Sequence, residues 1–96
     1  GALFEELIWD KATGLHVNAN FHDFRIPTHT DYGKIEAVFV GKPDPYGVLG
    51  AKAIGEPAIV PVYATIANAI YNAVGTRMKK LPMNPHTVLA TIQGKG

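Results

Sequence analysis

Apolar residues recur at helical spacing mainly in the second half of the chain. Positions 59, 62, 63, 66, 70 and 74 are all apolar, and this spacing predicts a helix over residues 59–74. Pro57 and Pro61 suit its first turn, and Gly75 suits the position just past its end. Its only polar stripe is formed by Thr65, Asn68 and Asn72. A helix with so narrow a polar stripe is expected to be buried on almost every side.

The remaining pattern predicts short elements on either side of this helix. Residues 35–40 (IEAVFV) are β-branched, aromatic or apolar apart from one Glu, which predicts a buried strand. Residues 3–8 read as the tail of a helix, and residues 77–81 as a short strand. Asn84 followed by Pro85 predicts the start of a last helix over residues 86–92. Together these elements predict an α+β fold with two layers, in which one long apolar helix packs against short strands.

Composition restricts both the size of the fold and the classes of function. With 96 residues the chain forms one domain at most, here residues 1–96, and it is too small to enclose a large cofactor alone. Cys and Ser are both absent, so thiolate metal sites, iron–sulfur ligation by this chain and Ser or Cys nucleophiles are excluded. The net charge is only +1 and the basic residues are scattered along the chain, which argues against nucleic-acid binding. No apolar run has the length of a membrane span.

The first residues favour a piece of a longer polypeptide. The chain begins Gly1-Ala2-Leu3 without Met, and no capping residue precedes the helical pattern. A processed mature chain is an equally good interpretation of this start. The cytoplasm is the expected location, with the periplasm left open.

Glu56 is the acidic residue whose placement most suggests chemistry. It lies between Gly55 and Pro57 at the start of the apolar helix, and no other acidic residue follows Asp44. The simplest interpretation is structural, because a carboxylate near a helix N-terminus is favoured by the helix dipole, typically by ~0.3–1 kcal/mol. Position alone therefore leaves the catalytic interpretation of Glu56 open.

Four segments, in the same order along the chain, add evidence on Glu56 that its position alone does not give. Residues 50–57 (GAKAIGEP) with residues 66–75 resemble the end of the molybdenum-cofactor-binding subunit in the xanthine dehydrogenase/aldehyde oxidase family of molybdenum hydroxylases. Residues 20–28 (NFHDFRIPT) resemble the family's N-x-x-D-Y-x-I-P-T segment, and residues 81–89 its closing L-P-I-T-P…V-L. Residues 2–6 (ALFEE) also fit. Ala58 stands where the family usually has a second Pro, and Ala53 where many members have Gly.

The resemblance implies roles for a short run of residues. In the family the Glu of G-E-P lies beside the molybdenum and acts as a base while a substrate carbon is hydroxylated with oxygen from water, a role that falls on Glu56. The residues expected to line the cofactor are Lys52, Ala53, Ile54 and Gly55. The cofactor would be molybdopterin-molybdenum, held mostly by residues outside this chain and absent from the chain alone, which supplies no metal ligand. The implied partners are the remainder of the molybdopterin-binding subunit and iron–sulfur and, in some arrangements, flavin subunits or domains, with self-association of the isolated chain as a further expectation.

Two other interpretations stay open at the level of sequence. The chain could be an independent small binding module in which Glu56 is only a helix-end charge. It could also be a non-catalytic relative that keeps the fold without the cofactor. Metal analysis and a search for copurifying chains separate these alternatives from the fragment of a molybdenum hydroxylase.

Overall fold

The computed structural model describes residues 1–95, and its regular structure lies almost entirely in the second half. A short 3₁₀ helix at Val48–Gly50 precedes three α-helices: α1 (Gly55–Ile59), α2 (Val62–Val74) and α3 (Pro85–Ile92). The predicted helix over residues 59–74 is therefore present but divided, because the chain bends between α1 and α2 at Val60 and Pro61. Pro61 lacks an N–H and cannot continue the hydrogen-bond ladder of α1, so it stands at the N-cap of α2 instead.

The end of α2 is closed as the sequence predicts. Gly75 follows the helix in the left-handed conformation (φ 73°), and its N–H donates to the carbonyl of Tyr71 at 2.7 Å. The chain then returns along the helix, so that the Arg77 guanidinium lies 3.7 Å from the centre of the Tyr71 ring. Arg77 also donates to the Asn68 side-chain oxygen at 3.1 Å. One member of the polar stripe is thus used to fix the segment that follows α2.

The predicted last helix is confirmed as α3. The Asn84 side chain accepts a hydrogen bond from the Thr87 N–H at 2.8 Å, and Pro85 occupies the first helical position. Just before the cap, the Met83 N–H donates to the Ala2 carbonyl at 2.8 Å. This contact ties the N-terminal segment to the start of α3, and Met83 is one of the few buried side chains.

The predicted helical tail over residues 3–8 is wrong. This segment is extended and leads into a tight hairpin, in which Val17 N–H donates to the Ile8 carbonyl at 3.0 Å and Asp10 N–H to the Leu15 carbonyl at 2.8 Å. The buried Asn18 side chain accepts from the Ile8 N–H at 2.9 Å and donates to the Glu6 carbonyl at 2.7 Å. An amide side chain therefore satisfies the backbone groups that a helix would have paired internally.

Residues 1–95 contain one isolated β-bridge, between Trp9 and His16, and no β-ladder. Residues 35–40 and 77–81, which the sequence predicts as strands, are not hydrogen-bonded as strands. A strand exists only with a neighbour, and this part of the protein provides none for them. The α+β architecture with two layers accordingly stays a prediction, to be realised only if pairing strands come from elsewhere.

The chain is far more open than a self-contained domain. Its radius of gyration is 17.9 Å, whereas a compact domain of this length has about 12.5 Å. Its accessible surface is 8327 Å², compared with roughly 5,400 Å² for a folded monomer of this mass. Met83 is the one buried large apolar side chain among the described residues, and no residue of α2 is buried. The sequence predicts a buried α2, so the surface that would bury it is missing from this chain.

The exposed apolar surface predicts self-association of the isolated chain. Large exposed apolar patches are unfavourable in water and are covered by whatever surface is available. We expect sedimentation velocity to show oligomers that increase with concentration. A single monomeric species over a hundredfold concentration range would contradict this prediction.

No single helix among residues 1–95 has the length and apolar character to cross a membrane. The segment Val48–Ile59 and α2, bent by 51°, meet the requirement only as a pair and by length and composition alone.

Asp31 closes the loop that follows the N-F-H-D-F-R-I-P-T segment. Its carboxylate accepts hydrogen bonds from the Thr28 N–H at 2.7 Å and the Thr28 hydroxyl at 3.0 Å. These bonds lower the pKa of Asp31 below its ordinary value of 3.8, the backbone bond having the larger effect. A lowered pKa means that the ionised carboxylate stabilises the loop above the ordinary pKa and that this stabilisation is lost as the pH falls through the lowered value.

We therefore expect an NMR titration of the Asp31 carboxyl carbon to have its midpoint below 3.8. Thr28→Val removes the hydroxyl and leaves the backbone donor, so it should move the midpoint only part of the way back. A wild-type midpoint at or above the ordinary value would show that the loop does not hold this geometry in solution.

Candidate functional site

A closed loop over residues 43–51 leads to the candidate site. The Asp44 carboxylate accepts from the Tyr46 N–H at 2.8 Å and the Gly47 N–H at 2.9 Å, and the Asp44 N–H donates to the Gly50 carbonyl at 3.0 Å. Gly50 has φ 76°, and a Cβ there would lie 2.7 Å from the Pro43 Cβ. The two ends of the loop can therefore approach each other only because residue 50 is glycine.

The tip of this loop carries apolar side chains into solvent. Tyr46, Val48 and Leu49 are all exposed, and Leu49 adopts the left-handed conformation with φ 54°. That conformation is uncommon for a residue with a branched side chain. The hydrogen bonds of Asp44 and the closure at Gly50 hold the loop in this shape, which makes it an ordered approach to the residues that follow.

Residues 51–55 connect the loop to α1 as an exposed, mostly small-residue segment. The structure places Lys52, Ala53, Ile54 and Gly55 consecutively on this segment, with all four exposed. A Cβ at Gly55 would meet no other atom within 4 Å. The backbone here is accessible to a bulky group.

Glu56 lies in the first turn of α1, as predicted, and it is exposed. Its carbonyl accepts a hydrogen bond from the Val60 N–H at 3.0 Å, which forms the one full turn between Glu56 and the bend at Pro61. The carboxylate is thus carried on a short turn that is separate from α2, and its position is set by the loop before it and the bend after it.

A groove of about 860 Å³ lies beside this segment. One wall is formed by residues 35–43 and the other by Gly50, Lys52, Ala53, Ile54, Pro57 and Ala58. Three of the predicted cofactor-lining residues, at positions 52–54, therefore share one concave surface. Gly55 and Glu56 are not among the residues that line it, although both neighbours of this pair in sequence are. The structure therefore brings Lys52, Ala53 and Ile54 to one groove, whereas Glu56 is exposed and lies one residue before Pro57 on the groove wall.

Two lysines, Lys42 and Lys52, line the groove. A Cβ at Gly41, whose φ is 120°, would lie 3.4 Å from the Lys52 ammonium nitrogen, so this ammonium lies against the glycine backbone. Ammonium groups beside an accessible backbone can bind an anionic group. Among residues 1–95 no group of three or more His, Asp or Glu side chains is arranged to hold a metal ion.

The hydrogen bonds by which Asp44 holds the loop over residues 43–51 closed are the feature of the site that the sequence pattern does not indicate. Asp44-Pro45-Tyr46-Gly47 was recognisable only as a loop, since Pro excludes helix at the preceding residue. An Asp followed two and three residues later by free N–H groups is typical of an Asx turn, and this was the available signal.

Comparison with known proteins places this geometry in a definite context. No family model matches the chain. It is 42% identical over 84 residues to the xanthine dehydrogenase molybdenum-binding subunit of Escherichia coli O157:H7, which covers 88% of this chain. It is 40% identical over 83 residues to the aldehyde oxidoreductase molybdenum-binding subunit PaoC of Escherichia coli K12, and 38% identical over 60 residues to the aldehyde oxidoreductase of Megalodesulfovibrio gigas.

Two of these relatives are molybdenum-binding subunits of oxidoreductases, and the third is an aldehyde oxidoreductase. The chain belongs to the xanthine dehydrogenase/aldehyde oxidase family. It spans only 11% of the length of the two Escherichia coli subunits that it matches over 88% and 85% of its own residues. The resemblance found in the sequence is confirmed, and the chain corresponds to a small segment of a much larger subunit.

Proposed function

We propose that this chain is part of the molybdenum-binding subunit of a molybdenum hydroxylase and that it contributes Glu56 to the active site. The complete enzyme would oxidise an aldehyde, an N-heterocycle or a similar carbon centre, taking the added oxygen from water. The observation that supports this most is the 42% identity to a xanthine dehydrogenase molybdenum-binding subunit across 88% of the chain. The exposure of Glu56, two residues after a groove-lining run at positions 52–54 and next to groove-lining Pro57, is consistent with it.

The reaction fixes what the carboxylate has to do. Converting C–H to C–OH with water releases two electrons and two protons, and the molybdenum cofactor, held mostly by residues elsewhere in the subunit, supplies the centre that accepts the electrons. Glu56 would accept a proton from the water-derived nucleophile at a carboxylate oxygen, as a general base within hydrogen-bond reach. The Asp44 loop and the turn of α1 would hold that carboxylate in place, and residues 52–54 would flank the cofactor, with the Lys52 ammonium beside an anionic group.

The partners follow from the same proposal. The remainder of the molybdenum-binding subunit would cover α2 and the groove, and iron–sulfur and flavin subunits or domains would carry electrons onward. The names of two relatives from Paenarthrobacter nicotinovorans, the gamma subunit of a dehydrogenase complex and the large subunit of a hydroxylase, describe assemblies of several chains. We propose the cytoplasm as the location.

The test is made on the complete gene product that contains this chain. We expect stoichiometric molybdenum and a pterin in the purified protein, and oxidation of at least one aldehyde or N-heterocycle. With water labelled with ¹⁸O and unlabelled dioxygen, the product should carry ¹⁸O over repeated turnovers. A complete protein with neither molybdenum nor pterin would overturn the proposal and favour an independent binding module or a non-catalytic relative.

A further inference from the structure

Residues 35–40 have the sequence of a buried strand, but in this structure they are neither paired nor buried. The segment has no regular secondary structure, and within residues 1–95 no backbone hydrogen bond involves it. Every residue in it is exposed, and the large apolar side chains at positions 35, 38, 39 and 40 are 77–90% exposed. Its backbone therefore has free donors and acceptors on both edges, and its side chains are uncovered on both faces.

The order of side chains indicates what kind of strand residues 35–40 would form. Successive side chains of a strand point to opposite faces. One face would carry Ile35, Ala37 and Phe39, and the other Glu36, Val38 and Val40. Apart from Glu36, which pairs with Lys34 at the beginning of the segment, both faces are apolar. A strand that is apolar on both faces belongs inside a covered sheet, whereas a half-exposed strand alternates apolar with polar residues.

On the basis of the proposed function, we infer that residues 35–40 form an inner strand of a sheet whose two neighbouring strands both come from the remainder of the molybdenum-binding subunit. The partner is thus a polypeptide that offers two strand edges and covers the sheet on both faces. Insertion of a strand between two others satisfies the backbone on both sides, and the side-chain pockets on each face set its register.

The amount of exposed surface that a partner would have to cover favours the rest of the subunit over a second copy of the chain. The accessible surface exceeds that of a compact monomer by roughly 3,000 Å² on this chain alone, or roughly 6,000 Å² counted over both partners, which matches the upper end of obligate interfaces. A symmetric pair of chains would join one edge of the segment to the same edge of its copy and would leave the other edge open. The two relatives are about eight times as long as this chain, since the 84 and 83 matched residues are 11% of them, and so have enough polypeptide to supply both neighbours.

Amide hydrogen exchange distinguishes these arrangements residue by residue. Consecutive N–H groups of a strand point to opposite edges, so an inner strand protects every amide and an edge strand protects alternate ones. In the complete subunit we expect the amides of residues 36–40 to exchange at least ~100-fold more slowly than in the isolated chain, without alternation.

Each outcome decides the inference. Alternating protection, or none in a complete subunit that contains its molybdenum, would overturn the inner strand and leave the proposed function intact. Protection that is already present in the isolated chain and grows with concentration would assign the partner as a second copy and overturn it as well. A complete subunit without molybdenum would overturn the proposed function, whatever the exchange pattern.

A pair of proline variants provides a second measurement. Ala37→Pro and Val38→Pro remove N–H groups that point to opposite edges of the segment. If both edges are paired, each should lower the yield of folded, molybdenum-containing subunit to a similar extent, and Val48→Pro in the exposed loop tip would lower it less. A strong loss for only one of the two strand variants would show that one edge is free and would overturn the inference.

Discussion

Glu56→Gln in the complete enzyme is expected to reduce kcat by at least ~10²–10⁴-fold, the range typical for removal of a general base. Gln keeps the size of the side chain and its ability to donate and accept hydrogen bonds, but it does not accept a proton at neutral pH. Because the residue lies on an exposed turn of α1 and no side chain in that turn is buried, the change should leave the fold and the molybdenum content unaltered. Steady-state kinetics and molybdenum analysis of the same preparation check both statements.

Glu6→Gln is the matched control for this variant. It makes the same chemical change on an exposed side chain in the N-terminal segment, where the Glu6 carbonyl bonds to Asn18 through the backbone and is untouched by the substitution. Its activity should equal that of the wild type. If Glu56→Gln kept full molybdenum and near-normal turnover, Glu56 would be a helix-end charge only, and the catalytic part of the proposal would be rejected.

The isolated 96-residue chain is expected to retain no molybdenum cofactor and to turn over no substrate, in contrast to one molybdenum per complete subunit. Ligand sites usually bury most of the surface of the ligand. The groove beside residues 50–58 is open, and its lining residues are predominantly exposed. It has two walls and would leave much of a bound cofactor in solvent. Elemental analysis of the chain, produced in a host that makes the cofactor and purified under native conditions, provides the measurement.

The complete subunit purified from the same host is the control for cofactor supply. Full occupancy of that subunit beside an empty isolated chain would show that the binding groups lie elsewhere. Stoichiometric molybdenum in the isolated chain would mean instead that residues 1–96 hold the cofactor themselves, and the assignment of this role to the rest of the subunit would be wrong.

Features determined by neighbouring residues were predictable from the sequence. The cap of α3 at Asn84, the end of α2 at Gly75 and the small-residue approach to Glu56 each depend on a few adjacent residues, and the structure contains all three. The division of the long helix at Pro61 was missed, because two prolines four residues apart were both assigned to one first turn. The apolar spacing continues through the bend, and it does not reveal where hydrogen bonding is interrupted.

Features determined by distant residues could not be predicted in the same way. Residues 3–8 are extended because the Asn18 side chain bonds to their backbone, a contact that no local pattern indicates. Residues 35–40 have the composition of a strand, but composition does not provide a neighbour. Position likewise does not assign a role to Glu56, since an exposed carboxylate in a first turn is equally suitable for stabilising a helix. The similarity to molybdenum-binding subunits, and not the geometry, is what supports a catalytic role for Glu56.

The bracing of residues 43–51 by Asp44 has a thermodynamic consequence for the assembled site. Fixing the backbone of one residue costs about 1–2 kcal/mol of conformational entropy at room temperature. The hydrogen bonds of Asp44 to residues 46, 47 and 50 form within a single loop and need no other part of the protein. This loop therefore meets the rest of the subunit already ordered, so that less of the docking free energy is consumed in arranging the backbone that leads to Glu56. Asp44→Ala should accordingly act at a distance, because it would leave the backbone that leads to Glu56 to be ordered only on docking.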